Sequence, residues 1–197
     1  QLLRVGLVDP FPASPSQLTQ FNPEDLNRLK DSHGRLAGLP VLIQTQVACF
    51  NNKRIGAPPA SLQELLNAGA SGKRVGLTLD TYNLFWSLGS LGAINAFKQA
   101  LAGQAPTPNE RQAIKDWFTW LQNANSQQRI TFYATQQEME AEFIAQRLDW
   151  IPCRSTSMIQ LRRSLGNDLG VAPLPDGEGQ RASPINRLRV IALGRNS

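Results

Sequence analysis

Histidine and cysteine are scarce in this sequence: His33 stands alone, and Cys49 and Cys153 are the only thiols among 197 residues. That scarcity removes whole classes of chemistry. Structural zinc is held by closely spaced pairs of Cys and His, so no metal site is expected. A Ser-His-Asp arrangement would rest on His33 alone, and no G-x-S-x-G elbow, P-loop, H-E-x-x-H or dinucleotide fingerprint occurs, which ranks an enzyme last and implies no cofactor. No run approaches the roughly 20 apolar residues of a membrane helix. The opening residues Gln1-Leu2-Leu3-Arg4-Val5 lack a basic segment leading into a sustained apolar block and are not read as a signal peptide.

What is present is the composition of a globular chain, 41% hydrophobic and 18% charged, enough for a core and for one domain or one domain plus a fragment. The net charge is +5, but the basic residues are scattered rather than gathered into a phosphate-binding stripe, so no nucleic-acid partner is expected. Cys49 and Cys153 can form one disulfide at most, as an oxidising compartment permits, or remain buried free thiols. His33, next to Gly34 and without Cys, Asp or Glu at ligand spacing, reads as a solvated turn residue.

Local patterns supply the elements. A short strand is expected over 3–8, followed by an irregular loop around Pro10, Pro12 and Pro15. Asn22 before Pro23 reads as a helix cap, and Ser61 with Glu64, Thr107 with Glu110 and Thr135 with Glu138 have capping-box spacing. The apolar run 41–50 has the character of a buried strand, and further strands are expected over 73–79 and 187–193. A helix is expected from Tyr82 through Leu91, with Gly89 and Gly92 allowing either close packing or a break. Ile114, Trp117, Phe118 and Leu121 form one apolar helical stripe read as core, with Trp120 off it; Met158, Leu161 and Leu165 form another, ending at Gly166. Strands alternating with helices predict an α/β fold with a mainly parallel central sheet flanked by helices.

Several of these stretches together resemble the extracellular solute-binding proteins of bacterial ABC importers, the type II periplasmic binding proteins of the maltose-binding-like group. Gly34, Leu36 and Pro40 match a G-x-L-x-x-x-P hairpin; Phe50-Asn51-Asn52-Lys53 is similar to the family's YNK, with one inserted Asn. Pro58-Pro59, the Ser61-Leu62-Gln63-Glu64-Leu65 helix start and Gly170-Val171-Ala172-Pro173-Leu174-Pro175 resemble the stretches that follow. The segment 80–86, DTYNLFW, resembles an aromatic helix start that faces the solute, and Pro152 matches a family proline, whereas Cys153 stands where an aromatic is common.

The resemblance implies a type II periplasmic-binding-protein-like lobe: 1–43 a remnant of the first lobe, 44–190 the second lobe, and 191–197 a crossing segment back toward the first. Most of the first lobe is absent from the sequence, so the chain is expected to be a piece of a longer protein. The implied function is capture of a small polar solute, a sugar or other, in an interlobe cleft and delivery to the membrane subunits of an ABC importer. The implied location is the periplasm, with lipid anchoring of the parent left open. Gln44, Thr45, Asp80, Thr81, Tyr82, Asn83, Trp86, Trp150 and Arg154 are the candidate solute contacts. Trp86 is equally readable as core, Trp150 lies on a strand face that the sequence does not fix, and Arg154 is readable as an anion clamp or as half of a surface salt bridge. The alternative of a different class is a ligand-sensing domain of the same fold in a transcription factor or membrane sensor.

Overall fold

The computed structural model describes residues 3–195; residues 1–2 and 196–197, the outermost parts of the expected flanking segments, lie outside the described residues. The chain runs β1 (Val8–Asp9), α1 (Pro15–Leu18), α2 (Pro23–Arg28), β2 (Leu39–Gln44), β3 (Gln46–Asn51), α3 (Leu62–Ala70) and β4 (Val75–Thr78). Next come α4 (Thr81–Leu84), α5 (Trp86–Ser90), α6 (Ile94–Leu101), α7 (Pro108–Ser126), β5 (Ile130–Tyr133) and α8 (Gln136–Ile144). β6 (Trp150–Arg154), a 3-10 turn at Ser155–Ser157, α9 (Met158–Leu165), β7 (Leu169–Ala172), β8 (Arg187–Ile191) and β9 (Leu193–Gly194) follow.

These elements form two compact units, one of residues 1–44 with 186–197 and one of residues 45–185. In the first, β2 pairs antiparallel with β8, with an irregularity between Pro40 and Leu42, and β1 pairs antiparallel with β9. The strand expected over 3–8 is confined to Val8–Asp9, and the proline-rich loop contains the single turn α1, closed by a capping box between Ser14 and Gln17. Asn22 caps α2 through the Glu24 amide, and Leu26 and Leu36 are buried. His33 is exposed in a turn, as expected.

The second unit is built on a five-stranded sheet of order β5-β4-β6-β3-β7. β4 is parallel to β5 and β6, and β3 is antiparallel to both β6 and β7, so β3 is the one reversed strand of a mixed sheet. The run 41–50 is therefore not one buried strand. It breaks at Thr45: Val41, Leu42 and Ile43 lie exposed in the two-stranded ribbon with β8, and only from Gln46 onward does the chain enter a sheet covered on both faces. Of the two expected strands 41–50 and 187–193, it is the first half of one, β2, that pairs with β8.

Helix starts follow the local chemistry. Ser61, Thr107 and Thr135 each accept the backbone N–H three residues on, which stabilises each helix by about 1 kcal/mol. The expected single helix from Tyr82 is two, α4 and α5, parted at Phe85. Gly89 packs against Ser183 with no room for a Cβ, and Gly92, with φ of 70°, ends the run. One face of the sheet buries Ala48, Leu65, Leu77 and a cluster of Trp86, Trp120 and Trp150, with ring centroids 6.2 and 6.4 Å from Trp86. Met139, Phe143, Ile151 and Leu161 fill the other face around a disulfide between Cys49 and Cys153. Trp117 is core, but Phe118, placed on the same stripe by the sequence, is 53% exposed; Trp120, off that stripe, is the one that turns inward.

At the N-terminal ends of β4 and β6 a buried carboxylate ties the sheet together. Asp149 Oδ1 accepts from Arg54 Nη1 at 2.9 Å and Arg74 Nη2 at 2.8 Å, and Oδ2 accepts from the Arg74 amide at 2.9 Å. The same two guanidinium groups donate to the carbonyl of Gln146, whose φ of 58° is the only positive value at a non-glycine among the described residues. The hydrogen-bonded carboxylate pushes Arg74 above arginine's ordinary pKa. Truncation of Asp149 to alanine is expected to cost about 3 kcal/mol, because it leaves two half-buried cations unpaired, and urea unfolding at neutral pH measures it. Replacing both cysteines by alanine is expected to cost about 3 kcal/mol through the freer unfolded chain; a urea midpoint equal to that of the oxidised protein would refute this.

Candidate functional site

In register, Gln46 at the start of β3 stands directly opposite Arg154 at the end of β6, and directly opposed residues share a face of the sheet. Beside them β4 ends at Thr78, and the chain turns through Leu79 into α4, where Asp80 is the N-cap and accepts the Tyr82 amide at 2.9 Å. Loops beyond the carboxyl ends of parallel strands are where open α/β sheets present polar groups to ligands.

Asn83, buried, is the hub of the resulting network. Its Oδ1 accepts from Arg154 Nε at 3.2 Å, from Arg154 Nη2 at 2.9 Å and from Gln46 Nε2 at 3.4 Å. Its Nδ2 donates to Asp80 Oδ2 at 2.8 Å, and its carbonyl accepts from Gln46 Nε2 at 3.1 Å. The Arg154 guanidinium lies 5.9 Å from the centroid of the Tyr82 ring, a cation–π distance, and the Tyr82 hydroxyl donates to the Ile185 carbonyl at 3.2 Å. Thr45 closes the neighbouring corner: its amide donates to Ser155 Oγ at 3.1 Å and its carbonyl accepts from the Ser155 amide at 2.8 Å.

The structure thus brings Asp80, Tyr82, Asn83 and Arg154 into one bonded group, with Thr81 exposed next to it and Thr45 one residue from Gln46. Thr81 also lines a hollow of about 330 Å³ walled by Leu79, Trp117, Phe118 and Phe132. Gln44 belongs to the first unit, where it pairs with Arg187. Trp86 and Trp150 are not in the group. Both rings have no exposed surface; Trp150 pairs with Phe50 at the opposite end of β6 from Arg154, about 13 Å away along the strand. Of the two readings of Arg154, the salt bridge is not formed: no carboxylate lies within pairing distance of it among the described residues.

Gln46 is the member the sequence did not point to. It reads as one more residue of an apolar run, and only the break at Thr45 and the pairing with Arg154 give it a role. Its Oε1 is buried without a hydrogen-bond partner among the described residues, a cost that its two bonds to Asn83 offset.

The fold is that of a periplasmic-binding-protein-like α/β lobe. The family model for bacterial extracellular solute-binding proteins matches residues 1–191, and the chain belongs to that family. Among solved structures, a cyclo/maltodextrin-binding protein complexed with maltotetraose superposes with a TM-score of 0.73 at 20% identity, covering 98% of this chain and 52% of that one. This chain therefore spans about half the length of that protein. No curated protein matches it in sequence.

Alanine at position 83 is expected to destabilise the protein by about 2 kcal/mol, since Gln46 Nε2 and the Arg154 edge lose their shared acceptor inside the fold. Chemical denaturation reads the change, and a shift of only a few tenths of a kcal/mol would show that Asn83 is not the hub.

Proposed function

We propose that this chain is part of the substrate-binding protein of a bacterial ABC importer, working in the periplasm, and that it captures a small polar solute at the rim formed by Thr45, Asp80, Thr81, Tyr82, Asn83 and Arg154. Residues 44–190 are assigned to the second lobe of that protein, 1–43 and 191–197 to the first, and no catalytic step is assigned to either. The observation that carries this reading is the network around Asn83, in which a cation, a carboxylate and an aromatic face are held in place before any solute arrives. Preorganised polar groups give affinity because little side-chain freedom remains to be lost on binding.

Two further observations support a hydroxylated solute. The maltotetraose complex of the cyclo/maltodextrin-binding protein shares the fold. The rim also combines hydroxyl-binding groups with apolar surface, at the Tyr82 ring and in the hollow bounded by Phe118. Trp86 and Trp150, though aromatic, contribute from beneath by fixing α5 and β6 rather than by touching the solute.

Thermal unfolding against pools of sugars, amino acids, polyamines and oxyanions tests the proposal. A true solute at about 100 times its dissociation constant is expected to add about 2.7 kcal/mol, a rise of several degrees in a chain this long. Failure of every pool to shift the midpoint would defeat it.

A further inference from the structure

Resting on that reading, we infer that the solute carries a carboxylate and that Arg154 is the residue that selects for it. The guanidinium is gripped on one side only. Its Nε–H and one Nη2–H both point to Asn83 Oδ1, a neutral acceptor, while no hydrogen bond or ion pair engages Nη1 among the described residues. The Nη1–Nη2 end therefore keeps two N–H donors side by side, the spacing that a carboxylate accepts with both oxygens.

The charge is uncompensated as well as oriented. Asp80 is the carboxylate that the network contains, and Asn83 stands between it and Arg154, with Nδ2 turned to Asp80 and Oδ1 to the cation. Asp80 accepts from the Asn83 side chain and the Tyr82 amide, and it is exposed, so it remains available to hydroxyl or ammonium donors. The Tyr82 ring lies over the same guanidinium, 5.9 Å from its centroid to the guanidinium carbon. Cation and anion at a separation of one amide match a solute with a carboxylate at one end and hydrogen-bond donors at the other. Sugar acids and amino acids both have this form, and the carboxylate is what they share.

The test is calorimetric titration of the intact protein with glucuronate and galacturonate, with their neutral parent sugars, and with a panel of amino acids, repeated on Arg154→Gln and Arg154→Lys. The expected result is at least about tenfold tighter binding of one carboxylate-bearing solute over its neutral counterpart. That preference should fall to near unity in Arg154→Gln, with Arg154→Lys between the two because it keeps the charge and loses the planar pair of donors. Which arm binds, sugar acid or amino acid, identifies the source of the carboxylate. Should Arg154→Gln fail to fold, the salt dependence of the unaltered protein decides: affinity for the acid must weaken from low to high ionic strength more steeply than affinity for any neutral solute. Equal or tighter binding of the neutral sugar, unmoved by Arg154→Gln or by salt, overturns the carboxylate inference and leaves solute binding standing. Binding of no solute from any arm overturns the carboxylate inference, and only together with the failure of every pool in the thermal-unfolding test does it overturn solute binding as well.

Discussion

A buried carboxylate, that of Asp149, fixes where three central strands begin and end. It takes the amide and guanidinium of Arg74 at the start of β4, the guanidinium of Arg54 after β3, and its own backbone carbonyl takes the Asn51 amide. Burying such a group costs several kcal/mol unless its partners are complete, so the arrangement tolerates little displacement of any one strand. The Gln146 carbonyl shares the same donors, which accounts for a non-glycine residue being held at positive φ. Midway along the sheet the disulfide joins Cys49 of β3 to Cys153 of β6 on the face covered by α8 and α9. Together these restraints set the β3–β6 register, and that register is what places Gln46 opposite Arg154 at the far end. A slip of one residue between the two strands would put Gln46 and Arg154 on opposite faces and dissolve the polar network.

What the sequence disclosed follows the range of the interactions concerned. Caps at Asn22, Ser61, Thr107 and Thr135 were readable because the partner lies within three residues, and the α/β class was readable because strand and helix periodicities alternate, whereas the reversal of β3 that makes the sheet mixed depends on long-range pairing. The split of 41–50 was not, since the composition is the same on both sides of Thr45 and only the neighbouring strands differ: β8 alone for one half, β6 and β7 for the other. β5 went unnoticed because Ile130–Tyr133 is four residues long and follows directly on a long helix, although Ile, Thr, Phe and Tyr all favour strands.

The site was partly legible for the same reason. Asp80, Tyr82 and Asn83 belong to one strand-to-helix junction, a local pattern, and Arg154 ends another. Aromatic identity, by contrast, says nothing about which side of a helix is covered. Trp86 and Trp150 meet in the core because the face carrying Ala48 and Leu77 leaves space that large rings fill, while Phe118 is turned outward on α7. Whether Cys49 and Cys153 were bonded could not be read from their positions in the chain; strand pairing alone brings them within reach.

Asn83 explains why a buried amide, rather than a carboxylate or an apolar side chain, stands at the centre. An aspartate there would neutralise Arg154 and repel Asp80, collapsing the network into an ordinary ion pair with a stranded second acid. An apolar residue would leave the guanidinium without an acceptor and the Gln46 amide with the backbone carbonyl alone. Asparagine offers an oxygen to the cation and an N–H to the anion, and because each end faces the charge it suits, turning the amide over would lose every side-chain bond at once. The two charges are thereby oriented without cancelling each other, and a pair held apart in this way keeps its capacity for a third party. Burial of the amide, the half-buried cation and exposed anion on either side of it, and their fixed separation are one physical arrangement, set at one end of the sheet by restraints that act at the other.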